Sequence, residues 1–190
     1  MPQKAKFSKE EIINSAIKIV ESQGIERLTA RSLGKELGTS SRPIFTTFTS
    51  MDDVLNGVNL YANNLYQSYV SDGLKESIAF KGVGKAYIRF ASEHPKLFQL
   101  LFMKEQAEVP NLNKVLGLIE DSYQPILDVI SLSYNVSEKL AKEIYLNMWI
   151  YNHGIATLIA NKMCRFGSEE ISNMLTTVCQ SLIMNGVKND

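Results

Sequence analysis

The sequence predicts an all-α protein. Three observations carry that prediction: apolar residues recur at helical spacing almost throughout, strand signals are weak everywhere, and serines and threonines able to cap helices stand just before several of the apolar stripes. Ser8 caps a first helix with Glu11 closing a capping box, and Ile12, Ile13, Ala16, Ile17 and Val20 form its stripe before Gly24 stops it. Thr29 caps a second helix with Leu33 and Leu37 facing inward, and Gly38 ends it. After Thr39 and Ser40 a third, brief helix carries Ile44 and Phe45. Two short helices around a tight glycine-containing turn make a helix-turn-helix.

A fourth, longer helix starts at Met51, where Asp52 and Asp53 suit the positive end of its dipole, and Val54, Val58, Tyr61, Leu65 and Tyr69 form its stripe. It is the expected link between an N-terminal domain, residues 1–50, and a larger C-terminal domain, residues 51–190. A fifth helix runs from about Glu76 to His94, and Pro95 opens a sixth, because proline suits a first helical position and disfavours helix in the residue before it. A seventh spans roughly Asn111 to Tyr134 with a kink expected at Pro125. Ser137 and Ser168 cap the last two of about nine helices: the eighth ends near Arg165, and the ninth uses Ile171, Met174, Leu175, Val178, Leu182 and Ile183.

Charge narrows the choice of partner. The 20 basic and 20 acidic residues cancel, so any attraction for nucleic acid is local. Residues 1–50 carry eight Lys/Arg against five Asp/Glu, which leaves twelve against fifteen in the rest and makes the N-terminus the basic end. Cys164 and Cys179 lack metal spacing, no metal cluster or cofactor motif can be assembled, and Lys4, Lys6 and Lys9 interrupt any hydrophobic leader, so a reducing cytoplasm is expected. The uncharged run from Ile144 to Asn161 contains Asn147, Asn152, His153, Gly154 and Thr157; it reads as a helix buried on nearly all sides, with no membrane partner. An enzyme finds little support. The two histidines stand at structural positions, no glycine-rich phosphate loop is present, and the serine-lysine spacing of Ser15 and Lys18 falls on a helix that belongs to the core.

The segment Leu28 to Leu55, LTARSLGKELGTSSRPIFTTFTSMDDVL, resembles the DNA-binding signature of the TetR family in spacing and residue type. The resemblance rests on the Leu-Thr opening of the second helix, Gly34 facing the third, Leu37-Gly38 before the turn, Ser40, Ile44-Phe45, Phe48, and Ser50 through Leu55. It implies a sequence-specific regulator, most simply a repressor of double-stranded operator DNA released by a small-molecule effector. The third helix would then enter the major groove while the second crosses the backbone. The exposed early positions are Ser41, Arg42 and Thr46, and of these Arg42 alone can pair bidentately with guanine. Arg31, the Thr29 hydroxyl, Ser40, Pro43, Phe45, Thr47, Met51 and the basic tail at Lys6 complete the candidate DNA face. Each has a plainer reading beside it: Thr29 as only a cap, Arg31 and Arg42 as solvated charges. The segment also departs from the family, which usually has Tyr at Phe45, a large or polar aromatic or His at Thr46 and Thr47, and Lys at Met51; each change removes a phosphate donor or charge. The competing expectation is therefore a helical ligand-binding or interaction module with weak or lost DNA binding.

Two C-terminal fragments, Trp149-Ile-Tyr-Asn-His153-Gly154 and His94-Pro95-Lys-Leu-Phe98-Gln-Leu-Leu-Phe102, look like a subgroup whose eighth helix holds a Trp-x-x-x-His-Gly element. That resemblance implies an effector cavity among the fourth to eighth helices and a homodimer through the last two. The candidate cavity residues are Tyr61, Leu65, Phe98, Phe102, Met103, Tyr145, Trp149 and His153, which together favour an apolar effector with one or two polar groups. A Trp and His on one helix face serve equally as core packing around a satisfied imidazole.

Overall fold

The computed structural model describes residues 6–105, 108–109, 111 and 123–186. Among these the protein is all-helical, with eight α-helices: α1 (Lys9–Gln23), α2 (Ala30–Glu36), α3 (Met51–Leu74), α4 (Ala79–Glu93), α5 (Pro95–Phe102), α6 (Tyr123–Tyr134), α7 (Glu138–Ala160) and α8 (Ser168–Gly186). Two single 3-10 turns, Ile25–Arg27 and Ile44–Thr46, complete the regular structure. The chain forms two compact units, Met1–Leu65 with His94–Lys104 and Tyr66–Glu93 with Glu105–Asp190. The sequence places its boundary at residue 50; the observed division falls inside α3 and returns α5 to the N-terminal unit, where α5 packs on α1.

Local capping follows the sequence. Ser8 accepts from the Glu11 amide at 3.1 Å while Glu11 accepts from the Ser8 amide at 2.7 Å. Pro95 occupies the first turn of α5, and Ser137 accepts from the Leu140 amide. Ser50 and Asp53 close a further box at the start of α3, because Asp53 Oδ2 accepts from the Thr49 and Ser50 amides and Ser50 Oγ from the Asp53 amide.

Four expectations are corrected. The third helix is only the turn Ile44–Thr46: the amides of Ile44, Thr46 and Thr47 reach back three residues, and Thr46 Oγ1 donates to the Pro43 carbonyl at 2.7 Å. Pro43 has no amide to donate, and the threonine hydroxyl competes for a carbonyl that a continuing helix would use. The eighth predicted helix, α7, stops at Ala160 rather than near Arg165. Lys162 adopts φ +57°, and the Lys162 and Met163 amides bond to the carbonyls of Ile159 and Leu158, a Schellman closure made without glycine. The buried stripe of α3 is Val54, Val58, Ala62, Tyr66 and Val70, so Tyr61 is exposed and Leu65 half-buried. A strict four-residue step keeps that apolar row on one face. The fifth predicted helix begins at Ala79 rather than near Glu76, and the first part of the seventh, residues 112–122, lies outside the described residues.

In the second unit α4 packs mainly on α7, and α8 covers both. α3 and α4 approach closely where two glycines meet: a Cβ on Gly73 would stand 2.6 Å from the Gly82 carbonyl oxygen. Ile150 and Met184 remain exposed, and Val178 and Leu182 half-exposed, so neither α7 nor α8 is buried all round in the single chain.

Candidate functional site

The N-terminal candidates group around the turn after α2. Gly34 is buried beneath it, and a Cβ there would come within 2.9 Å of the Ser40 carbonyl carbon and the Ser41 nitrogen. The Thr39 amide donates to the Gly34 carbonyl at 2.8 Å, and Gly38 turns the chain at φ +65°. Backbone packed this tightly fixes the direction in which the following turn leaves α2. The result is an open concavity lined by Arg31, Lys35, Gly38, Thr39, Ser40 and Ser41. Two guanidinium or ammonium groups one helical turn apart, with serine hydroxyls opposite, suit a phosphate. Lys35 is absent from the sequence candidates, although its four-residue spacing from Arg31 places both on one helix face.

The remaining N-terminal candidates differ in availability. Arg42 and Thr46 are exposed, and Phe45 is 47% exposed, a large apolar surface for a three-residue turn. Thr29 is exposed, but its hydroxyl accepts from the Ser32 amide at 3.1 Å and meets Ser32 Oγ at 3.0 Å, so capping occupies it. Thr47 is half-buried and donates to the Phe7 carbonyl, which ties the segment before α1 to the end of the turn. Pro43 and Met51 are half-buried. Lys6 is exposed with its ammonium 5.4 Å from the Phe7 ring centroid.

The C-terminal candidates divide between the units. Phe98, fully buried, packs on Phe102 at 5.3 Å between centroids in the N-terminal unit, which also holds Tyr61, Leu65 and the exposed Met103. Tyr145, Trp149 and His153 lie on α7 in the other unit. There Trp149 stacks on His153 at 5.3 Å and 15°, and Tyr87 from α4 meets His153 Nδ1 at 2.9 Å. Burial lowers the His153 pKa, because a charged imidazole would lose its hydration.

Two chambers open beside this cluster. The larger, about 110 Å³, is walled chiefly by Phe80, Met148, Leu175, Cys179 and Ile183, with Lys81 as its one charged lining residue. The smaller, about 20 Å³, lies among Val83, Tyr87, Tyr145 and Trp149, and Phe80, Gly84 and Asn152 border both. Asn152 is the buried polar residue of the described core at 8% exposure, and its Oδ1, like Trp149 Nε1, has no hydrogen-bond partner. Lys81 donates to Thr176 Oγ1 at 2.7 Å. Burial raises the pKa of Cys179 and also that of Tyr134, whose hydroxyl lies 3.8 Å from the thiol. His153 does not line either chamber; it holds Tyr87 and Trp149, which do. Asn152, Phe80 and Gly84 escape the sequence reading. Asn152 alone left a signal there, as an amide inside an uncharged helical run.

Among the described residues no group of three or more His, Cys, Asp or Glu could hold a metal ion, and no helix is long and apolar enough to cross a membrane. A family model described as the tetracyclin repressor-like C-terminal domain matches residues 80–182. No curated protein matches the sequence. Among solved structures, the chain is similar to the fatty acid degradation regulator FadR from Bacillus halodurans, with a TM-score of 0.59 and 12% identity over 95% of this chain and 97% of that one.

Proposed function

This chain belongs to the tetracycline-repressor-like family of transcriptional regulators, and from that premise we propose that it binds operator DNA as a two-fold dimer and is released by a small molecule held in its second unit. The observation that carries the DNA half is the close packing of Gly34 beneath Ser40 and Ser41, which holds Arg31, Lys35 and Arg42 exposed around one turn. In this reading the concavity of Arg31 and Lys35 takes a phosphate, and Arg42 reads a base edge in the major groove. The dimer uses α7 and α8, whose apolar Ile150, Val178, Leu182 and Met184 stand exposed or half-exposed on the single chain. Two reading turns can then occupy successive major grooves about 34–36 Å apart.

Release follows the covalent route between the units. α3 is one helix from Met51 to Leu74, and its Gly73 rests against Gly82 of α4, which also supplies Phe80, Lys81 and Gly84 to the chambers. A ligand that displaces α4 must displace α3, and small movements at Met51 change the spacing of two reading turns. Such a ligand shifts the equilibrium only by binding the DNA-incompetent form better.

The test is fluorescence anisotropy with DNA flanking the chain's own gene against random DNA, over a salt series, together with sedimentation at micromolar concentration. Preferential, salt-steep binding by a dimer supports the reading. Equal affinity for both DNAs, or a 21.3 kDa monomer, overturns it.

A second reading, a helical module with weak or lost DNA affinity, draws support from the reading element itself. Only three residues are helical there, Phe45 presents an apolar ring, and Thr47 is tied back to Phe7. The same titration separates the two, since this reading gives weak or no binding even at low salt and no preference for the flanking DNA.

A further inference from the structure

We propose that the effector is a small neutral molecule with a short apolar body and one hydroxyl or comparable group that both donates and accepts a hydrogen bond, recognised by Asn152 and Trp149. The proposal rests on the effector-sensing reading above and names the ligand's chemistry. Asn152 is nine-tenths buried and borders both chambers, yet its Oδ1 accepts nothing; three residues earlier on the same helix face, Trp149 Nε1 donates to nothing. Burial without a partner is costly for such atoms, so a group that completes both is strongly favoured there. Both residues line the smaller chamber, and a hydroxyl reaching into it would offer Asn152 Oδ1 a donor and Trp149 Nε1 an acceptor.

Charge and size exclude the obvious competitors. A carboxylate has no proton for Asn152 Oδ1. The one lining cation, Lys81, is held on Thr176, which in turn donates to the Ser172 carbonyl, and a carboxylate paired with its remaining N–H groups would still leave Asn152 Oδ1 without a donor. A long chain does not fit: a cavity of about 150 Å³ lined by Leu, Ile and Phe holds one benzene, and the two adjoining chambers here, about 110 and 20 Å³, offer room for a single ring and no more. Gly84 keeps the chambers adjoining, because a Cβ there would lie 2.8 Å from Asn152 Nδ2 and 3.4 Å from Leu175 Cδ1.

Calorimetric titration of the full chain with phenol, benzene and benzoate tests this directly. Phenol should bind once per chain, benzene about tenfold more weakly, consistent with the loss of one or two hydrogen bonds, and benzoate not at all. Asn152→Leu should bring phenol down to the benzene level, and Gly84→Ala, which keeps the Asn152 amide but crowds it and Leu175, should weaken both. Tighter binding of benzoate than phenol, or unchanged phenol affinity in both variants, overturns the proposal. So does silence with phenol at 10 mM, whether or not Asn152→Leu raises the melting temperature as it would if the chamber held only water. Operator binding measured without any probe keeps the two readings apart. If the chain ignores DNA but binds phenol as described, the regulator reading fails and this site stands; if it binds operator but no phenol, only this inference fails.

Discussion

The two units solve opposite problems with glycine. In the N-terminal unit Gly34 brings backbone against backbone, and the polar groups around it are either used locally, as in the Thr29 cap and the Thr46 hydroxyl, or left in solvent, as in Arg31, Lys35 and Arg42. In the C-terminal unit Gly84 holds space open against Asn152, and the polar atoms beside it are buried and unmet. A surface of solvated cations attracts a polyanion over a distance and loses little while waiting. A buried, unpartnered amide gains only from a group small enough to reach it. The difference teaches why one unit suits a large charged partner and the other a small neutral one.

The strongest way to break that comparison is to replace a glycine in each unit. Gly34→Val should cost about 3 kcal/mol, the upper part of the overpacking range, and should abolish DNA binding, since Ser40 and Ser41 cannot move aside without moving Arg42. Gly82→Val should cost a similar amount, about 3 kcal/mol, but should leave operator affinity less affected than effector response, because it disrupts the α3–α4 approach rather than the turn. Urea unfolding paired with anisotropy reads both; identical profiles for the two variants would show that the units do not divide the work.

Arg42→Ala sharpens the comparison within the N-terminal unit. It should lose about 1–3 kcal/mol at one operator position and relax preference there, whereas Lys6→Ala should weaken binding evenly on every sequence. An equal loss on operator and random DNA for Arg42→Ala makes it a phosphate residue. Restoring the family residues at Phe45 and Met51, as Phe45→Tyr with Met51→Lys, should steepen the salt dependence by about one phosphate's worth; an unchanged slope means that neither position meets the backbone.

The smallest expected effect lies at His153. Its pKa is lowered by burial from the ordinary value of about 6.5, so over the interval between the folded and unfolded values the unfolded chain binds a proton that the folded chain does not. The contribution is therefore full above about 6.5 and is lost as pH falls through that interval. Thermal melts at pH 7.5 and 5.5 should show a larger drop for the wild type than for His153→Gln, and equal drops would place the imidazole in solvent.

The helical class, the caps at Ser8, Thr29 and Ser137, the proline start of α5 at Pro95, and the role of Gly34 were all legible in the sequence, because the interactions that produce them close within a few residues. A capping bond between residues three apart needs no knowledge of the fold. What only the tertiary structure decided depends on residues distant in sequence. Phe98 and Phe102 carry the same aromatic character as Trp149, yet α5 packs on α1 and takes them into the N-terminal unit. Tyr66 rather than Tyr61 turns inward because a long row on α3 meets its neighbours every fourth residue. Asn152 became a site residue only when α4 crossed α7 and set Gly84 opposite it. Spacing tells which residues share a helix face; which face another helix will cover, and which polar atom it leaves without a partner, is settled by packing across the whole chain.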